Sequence, residues 1–271
     1  MCRHLAYLGP EVPLGRILVE PEHSLLRQSW APRRQRYGTV NADGFGAGWY
    51  APDDPVPARY RRAGPIWADL SFADLARVVR SGCVLAAVRD ATLAGADAEA
   101  AAAPFASGRW LFSHNGVLAG WPDSAAPLVS ALPPVELLSL QARTDSAFVW
   151  ALVLHRLRSG DEPEQALGET VRQLAGAAPA SRLNLLLTDG ATIAATAWGD
   201  TLWYRTEPGL STVVASEPYD DDPLWQEVPD RTVLTASRAG VLLAPLEDPA
   251  SSPTLDCARA GGPPSTKEPC T

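Results

Sequence analysis

The chain has 271 residues, 46% of them hydrophobic and 20% charged, and a formal net charge of −8. That length buries a substantial core, and the acidic balance excludes the basic footprint of a nucleic-acid binder. No uninterrupted apolar run approaches the roughly 18 residues that a membrane span needs, so a soluble enzyme or binding domain remains.

In chain order, RHLAYLG (3–9) and FGAGWY (45–50) read as strands, and SFADLARVVRSG (71–82) as a helix with Ser71 as N-cap and Gly82 past its end. CVLAAVR (83–89) is a third strand, and RWLFSHNG (109–116) a fourth that ends at a strand end or turn. TDSAFVWALVLHRLRSG (144–160) is the clearest helix, capped by Thr144 or Asp145 and closed by Gly160; EPEQALGETVRQLAG (162–176) follows, with Pro163 in its first turn. RLNLLLTDGATIAATAWGDTLWYRTE (182–207) carries DG and GD turns between apolar runs, the pattern of consecutive antiparallel hairpins. STVVASE (211–217) and DRTVLTASRAGVLLAPL (230–246), with a turn at Gly240, add further strands. Pro-rich stretches at 51–57 and 119–134 read as surface loops, and so does the cluster Arg33, Arg34 and Arg36. One domain over 1–246 and a disordered Pro/Ser/Gly-rich tail over 247–271 are expected. Two successive helices between runs of strands point to an α+β protein with helices packed on antiparallel sheets.

The cysteines at 2, 83, 257 and 270 form neither a disulfide framework nor a zinc set, and the histidines at 4, 23, 114 and 155 show no ligand spacing. No metal and no cofactor are expected, and reduced thiols with no leader segment fit a cytoplasmic protein. Cys2 stands directly behind Met1. If Met1 is removed, thiol and α-amine belong to one residue, and the amine can take the thiol proton. The competing reading is a buried first-strand cysteine. In His114-Asn115-Gly116, a side-chain amide and the next N–H can converge on one oxyanion, or Asn-Gly can simply serve a turn. Arg89 after an apolar run is suited to gripping a carboxylate, or is a surface arginine; Asp145 can hold a substrate ammonium, or is a helix cap. Taken together, a nucleophile, an oxyanion hole and two opposite charges suit hydrolysis of a γ-glutamyl amide.

Cys2, NADGFGAGWY (41–50), RDAT (89–92), HNG (114–116) and TDS (144–146) occur in the order seen in class II glutamine amidotransferase domains, which are N-terminal-nucleophile hydrolases. The resemblance covers about 1–245. It implies a four-layer αββα sandwich, Cys2 as nucleophile, and Asn115 with Gly116 as the oxyanion hole. It further implies that Arg89 and Asp145 hold the glutamyl carboxylate and ammonium, that Thr92 supports that pocket, and that Asn41, Asp43 and Gly44 shape the loop beside the nucleophile. Many members carry histidines where this chain has Ala87 and Leu93, which bears on coupling to a synthase more than on hydrolysis. The finer wording (MCRHLAYLG, SWAPR, HNGVLAGW, VASEPYDDD) is most similar to the EgtC group, the γ-glutamyl-hercynylcysteine S-oxide hydrolases of ergothioneine biosynthesis. A small-molecule γ-glutamyl substrate and a possible homo-oligomer are the partners this implies. A trimethylammonium leaving group would suit the faces of Trp30, Trp49, Trp121 or Tyr219 and the acidic YDDD at 219–222, although most of these rings are expected in the core. The rival readings are a glutaminase subunit that feeds ammonia to a separate synthase, and a non-catalytic relative that keeps the fold.

Overall fold

The computed structural model describes residues 2–91 and 98–246. Its strands are β1 (Arg3–Pro13), β2 (Phe45–Trp49), β3 (Ala58–Arg62), β4 (Arg80–Val88), β5 (Phe105–Ser107), β6 (Trp110–Val117) and β7 (Arg182–Thr188), followed by β8 (Ile193–Ala197), β9 (Trp203–Glu207), β10 (Ser211–Ala215), β11 (Gln226–Glu227), β12 (Thr232–Ser237) and β13 (Gly240–Pro245). The helices are α1 (Gly15–Leu18), α2 (Leu25–Gln28), α3 (Leu70–Val78), α4 (Ala126–Val129), α5 (Pro134–Leu138), α6 (Asp145–Ser159) and α7 (Pro163–Ala177). Two antiparallel sheets result, one in the order β11-β9-β10-β1-β4-β2-β3, the other β13-β12-β8-β7-β6-β5.

Side-chain alternation along the strands builds the layers. Leu5 and Tyr7 of β1 join Val84, Ala86 and Val88 of β4 under α1, α2 and α3, in a cluster with Leu14, Leu18, Leu25 and Phe72. The intervening Ala6, Leu8, Cys83 and Leu85 meet Leu111, Leu186, Ile193 and Ala195 between the sheets. Phe112, Leu183, Leu185 and Leu187 face outward again, onto α6 and α7. This is the expected αββα sandwich. In α6 every residue from Ala147 to Val153 is buried, because the helix is wrapped by sheet on one side and by α7 and the 119–140 segment on the others. Thr144 is its cap, accepting from Ala147 N at 3.3 Å, and Gly160 ends it in the left-handed region at φ 99°.

Several expectations change. The first long helix spans Leu70–Val78 and is capped by Asp69, whose side chain accepts from Phe72 N at 3.0 Å; Gly82 lies inside β4, because Arg80 already pairs with Pro13. The 182–207 segment is not a run of hairpins. β7 and β8 form one, but the chain then changes sheet, and β9 pairs with β10. The 119–134 stretch contains α4 and leads into α5. The tail expected over 247–271 lies outside the described residues.

Two polar contacts tie the sheets together at one end. His4 Nδ1 lies 3.1 Å from Ser113 Oγ, and Asn115 Nδ2 donates to Ser216 Oγ at 3.3 Å. Burial depresses His4 to a pKa of about 3, helped by the Arg3 charge. The folded state therefore holds a neutral imidazole that the unfolded chain protonates near its ordinary pKa of about 6.5. Stability is fully present above about pH 6.5 and falls as pH drops toward the folded value, at up to ~1.4 kcal/mol per pH unit from this group. Urea denaturation between pH 7 and 5 should show that decline, with a shallower slope for His4→Gln; equal slopes would refute the assignment.

Candidate active site

β1 is an interior strand, held by β4 through Arg3↔Val88 and His4↔Ala87, and by β10 through Leu5↔Ala215. Beyond β10, Ser216 continues the grip: its N–H donates to His4 O at 2.9 Å, and its hydroxyl accepts from His4 N at 3.0 Å. Cys2, the residue just before β1, is thus fixed between two strands. Alternation turns Cys2 and His4 toward the opposite sheet, and likewise Arg89 at the end of β4 and Asn115 of β6.

The loop expected beside the nucleophile is stitched to the end of β4. Asp43 N donates to Arg89 O and Arg89 N to Gly44 O, both at 2.8 Å; Ala91 N donates to the Asp43 carboxylate at 2.8 Å. Gly44 sits at φ +131°, a backbone conformation that side chains disfavour. Asn41 is fully buried and anchors the loop's start, donating to Gln28 O at 2.9 Å and Gln35 Oε1 at 3.0 Å. Among the described residues the Arg89 guanidinium donates one hydrogen bond, to Asp43 O at 3.2 Å. Thr92 lies outside the described residues.

HNG is not a turn; it lies within β6, paired with Leu185, Asn184 and Leu183 of β7. Asn115 is buried, with its Oδ1 unpartnered. Gly116, at φ +157°, lies so close to β7 that a Cβ there would meet Arg182 O at 1.9 Å. His114 clamps this corner, with Nε2 3.0 Å from Arg182 O and Nδ1 3.0 Å from Ser146 Oγ. Asp145 opens α6 and is not its cap. Its carboxylate accepts from Leu118 N at 2.9 Å and Ser146 N at 2.8 Å.

Electrostatics bring these groups together around the sulfur. Burial pushes the Cys2 thiol up; a backbone hydrogen bond from Asp90 and the Arg89 charge pull it down, and the Asp145 charge pushes it up. Arg89 and Asp145 are therefore both within electrostatic reach of Cys2. The resting sulfur is a thiol, and it needs a proton acceptor to become a nucleophile.

On the other flank of Cys2 lies a group that the sequence did not announce. Glu217 is buried, accepts from Arg33 N at 2.9 Å and Arg34 N at 2.8 Å, and lies 3.9 Å from the buried Arg3 guanidinium. Arg182 Nε stands 3.4 Å from Asp200 Oδ2, and its guanidinium lies 4.2 Å over the Tyr37 ring. The 33–37 segment is an irregular loop in which Arg33, Arg34 and Arg36 are exposed, as expected, and its backbone is tied down by Glu217. The aromatic and acidic candidates for a cationic ligand are otherwise engaged. Arg27 covers Trp30 and Arg205 covers Tyr219; Trp121 packs on Phe148, and Trp49 belongs to the core under α1–α3. Asp220 and Asp222 hold Arg205, and Asp221 holds Arg33.

Two facing antiparallel sheets between helical layers, with a cysteine at the head of a central strand, define an N-terminal-nucleophile hydrolase fold. The family model for class-II glutamine amidotransferases matches residues 19–209, and the chain belongs to that family. The γ-glutamyl-hercynylcysteine sulfoxide hydrolase of Mycolicibacterium smegmatis is 43% identical over 246 residues, covering 91% of this chain and 100% of that protein. Its namesake in Mycobacterium tuberculosis is 42% identical over 249 residues, covering 91% and 97%. Among solved structures, a glutamine aminotransferase class-II domain protein from Silicibacter pomeroyi has a TM-score of 0.66 at 25% identity, covering 91% of this chain and 100% of its own. The phosphoribosylpyrophosphate amidotransferase of B. subtilis shares the fold alone, with a TM-score of 0.58 at 17% identity over 91% of this chain and 49% of that one. Among the described residues no helix is long and apolar enough to cross a membrane.

The approach of β7 to β6 makes a sharp test. Gly116→Ala should destabilise the fold by about 2–4 kcal/mol through backbone displacement, read as a lower urea midpoint at pH 7; an unchanged midpoint would contradict the geometry.

Proposed function

We propose that the chain hydrolyses the γ-glutamyl amide bond of γ-glutamyl-hercynylcysteine S-oxide, releasing glutamate and hercynylcysteine S-oxide in ergothioneine biosynthesis, with Cys2 as the nucleophile. What supports this reading is that the charges of Arg89 and Asp145 both reach Cys2, and that Asn115 is bonded to the same Ser216 hydroxyl that accepts from His4 N two residues further on. The substrate follows from 43% identity to a hydrolase of that name over its whole length.

Removal of Met1 frees the Cys2 amine. The amine takes the thiol proton, and sulfur attacks the γ-carbonyl carbon. The oxyanion is stabilised by the Asn115 side-chain amide, one of whose protons is free of Ser216, and by the Gly116 N–H. The ammonium returns the proton to the departing nitrogen as the C–N bond breaks, leaving a thioester at Cys2. Water, deprotonated by the amine, then releases glutamate and restores the thiol. Arg89 binds the substrate α-carboxylate and Asp145 its α-ammonium, so both act on recognition; Thr92 supports that pocket. Asn41, Asp43 and Gly44 hold Arg89 in place.

Glutamate release from the hercynyl substrate, compared with release from glutamine, tests the assignment. Intact mass should show a chain lacking Met1, and Cys2→Ala should remain folded with no turnover. Wild-type activity in that variant would end the proposal, while a preference for free glutamine would favour the ammonia-supplying alternative. Arg89→Ala and Asp145→Ala should each lower kcat/KM by about 100-fold, and Arg89→Lys should recover little of it, since an ammonium cannot reproduce the bidentate fork. Full rescue by lysine would refute the clamp.

A further inference from the structure

The γ-carbonyl carbon carries two substituents besides oxygen: the glutamyl chain and the scissile nitrogen. With the carbonyl over Cys2 and Asn115, a glutamyl chain led toward Arg89 on the β4 side sends the nitrogen toward the β10 side. There β6 and β7 run on from the oxyanion corner, Gly116 opposite Leu183 and Val117 opposite Arg182. Strand alternation turns Arg182 to the same inter-sheet face as Asn115.

The groups on that side are incompletely paired. Asp200 is buried, and among the described residues neither of its carboxylate oxygens has a hydrogen-bond partner. Arg182 Nε is buried and unbonded, 3.4 Å from Asp200 Oδ2, while 21% of the side chain remains exposed. Among the described residues the Arg182 guanidinium donates no hydrogen bond. Tyr37 covers one face of it at 4.2 Å and is itself 53% exposed. A planar cation covered on one face by a ring, with a carboxylate 3.4 Å from Nε, is pre-oriented, with its terminal N–H groups available to donate to a ligand. Of the neighbouring charges, Glu217 is taken by two backbone N–H groups and lies near Arg3, and Arg33 is taken by Asp221, while Arg3 and Arg36 act on Asp200 alongside Arg182.

We propose that Arg182, oriented by Asp200 and Tyr37, forms the leaving-group subsite and selects γ-glutamyl amides whose amine carries a carboxylate next to the scissile nitrogen. The substrate class is γ-glutamyl-α-amino acids, of which a cysteine conjugate is one case; glutamine, whose leaving group is ammonia, lacks the feature. This rests on the hydrolase reading above. Arg182 meets the leaving portion, and Asp200 and Tyr37 are positioning residues.

The experiment measures glutamate release by the full-length chain from γ-glutamylglycine and from γ-glutamylglycinamide, a pair of equal size that differs in one charge. The wild type should favour the acid in kcat/KM by about tenfold or more, the range of a charge-assisted bidentate contact. In Arg182→Gln the ratio should fall close to one, with Arg182→Lys between. Because the ratio is internal to each preparation, a partly folded variant does not disturb it. A wild-type ratio near one, an unchanged ratio in Arg182→Gln, or release from the hercynyl conjugate with none from γ-glutamylglycine would each overturn the subsite. No glutamate from any γ-glutamyl amide would instead overturn the hydrolase reading itself.

Discussion

A polypeptide terminus ordinarily frays, because ordering a residue costs about 1–2 kcal/mol and few contacts there offset it. The proposed mechanism requires the opposite: a nucleophile at the terminus, held in place. The solution is to make the first strand an interior one. β1 is bonded by β4 on one edge and β10 on the other, and Ser216 doubles the grip at His4 with its N–H and its hydroxyl. Ser216 Oγ also accepts from Asn115 Nδ2 at 3.3 Å, so the residue that locks β1 also sets the proposed oxyanion donor on the facing sheet. In the proposed mechanism the distance between nucleophile and oxyanion hole is thereby built into sheet packing rather than entrusted to a loop.

The same burial decides which group can act as base. Two histidines lie near the site, and a cysteine–histidine pair would be the obvious alternative to an amine. Geometry and electrostatics oppose it. His4 is buried with a pKa of about 3 and its Nδ1 beside Ser113, far too weak a base to hold a thiol proton near neutral pH. His114 has both ring nitrogens engaged, by Ser146 and by Arg182 O, and so holds α6 against β6 and β7. An α-amine with an ordinary pKa of about 7.7–8.0 is the better match to a thiol raised by burial, and it is attached to the same residue.

Much of this was legible because the elements carry strong local signals. The apolar runs around Leu5, Leu85 and Leu111, the Thr144 cap and Gly160 stop of α6, and the turn before Gly240 are read from period and punctuation. β3 was missed because ARYRR is a charged edge strand without alternation, and β5 because three residues carry no period. The change of sheet between β8 and β9 was hidden, since a GD turn looks the same whether the next strand pairs back or crosses over. Cys2, Arg89, Asn115 and Asp145 were legible as short motifs that keep a family order. Arg182 and Asp200 carried no motif, and Ser216 and Glu217 lay in VASEPYDDD with no role assigned to them; only the folding of β7, the β8–β9 link and the end of β10 makes these residues neighbours.

The missing histidine at position 87 now has a local explanation. Ala87 is buried, pairs with His4 on β1 and Gly46 on β2, and by alternation faces the space between the sheets. Directly opposed residues in adjacent strands have Cβ atoms about 4.5–5.5 Å apart, so a second imidazole at 87 would press against the His4 ring and its contact with Ser113. A small residue at 87 therefore follows from His4 occupying that space. None of the proposed site's supporting bonds passes through position 87: Arg89 is held by Asp43 and Gly44, Asn115 by Ser216, and Asp145 by Leu118 N and Ser146 N.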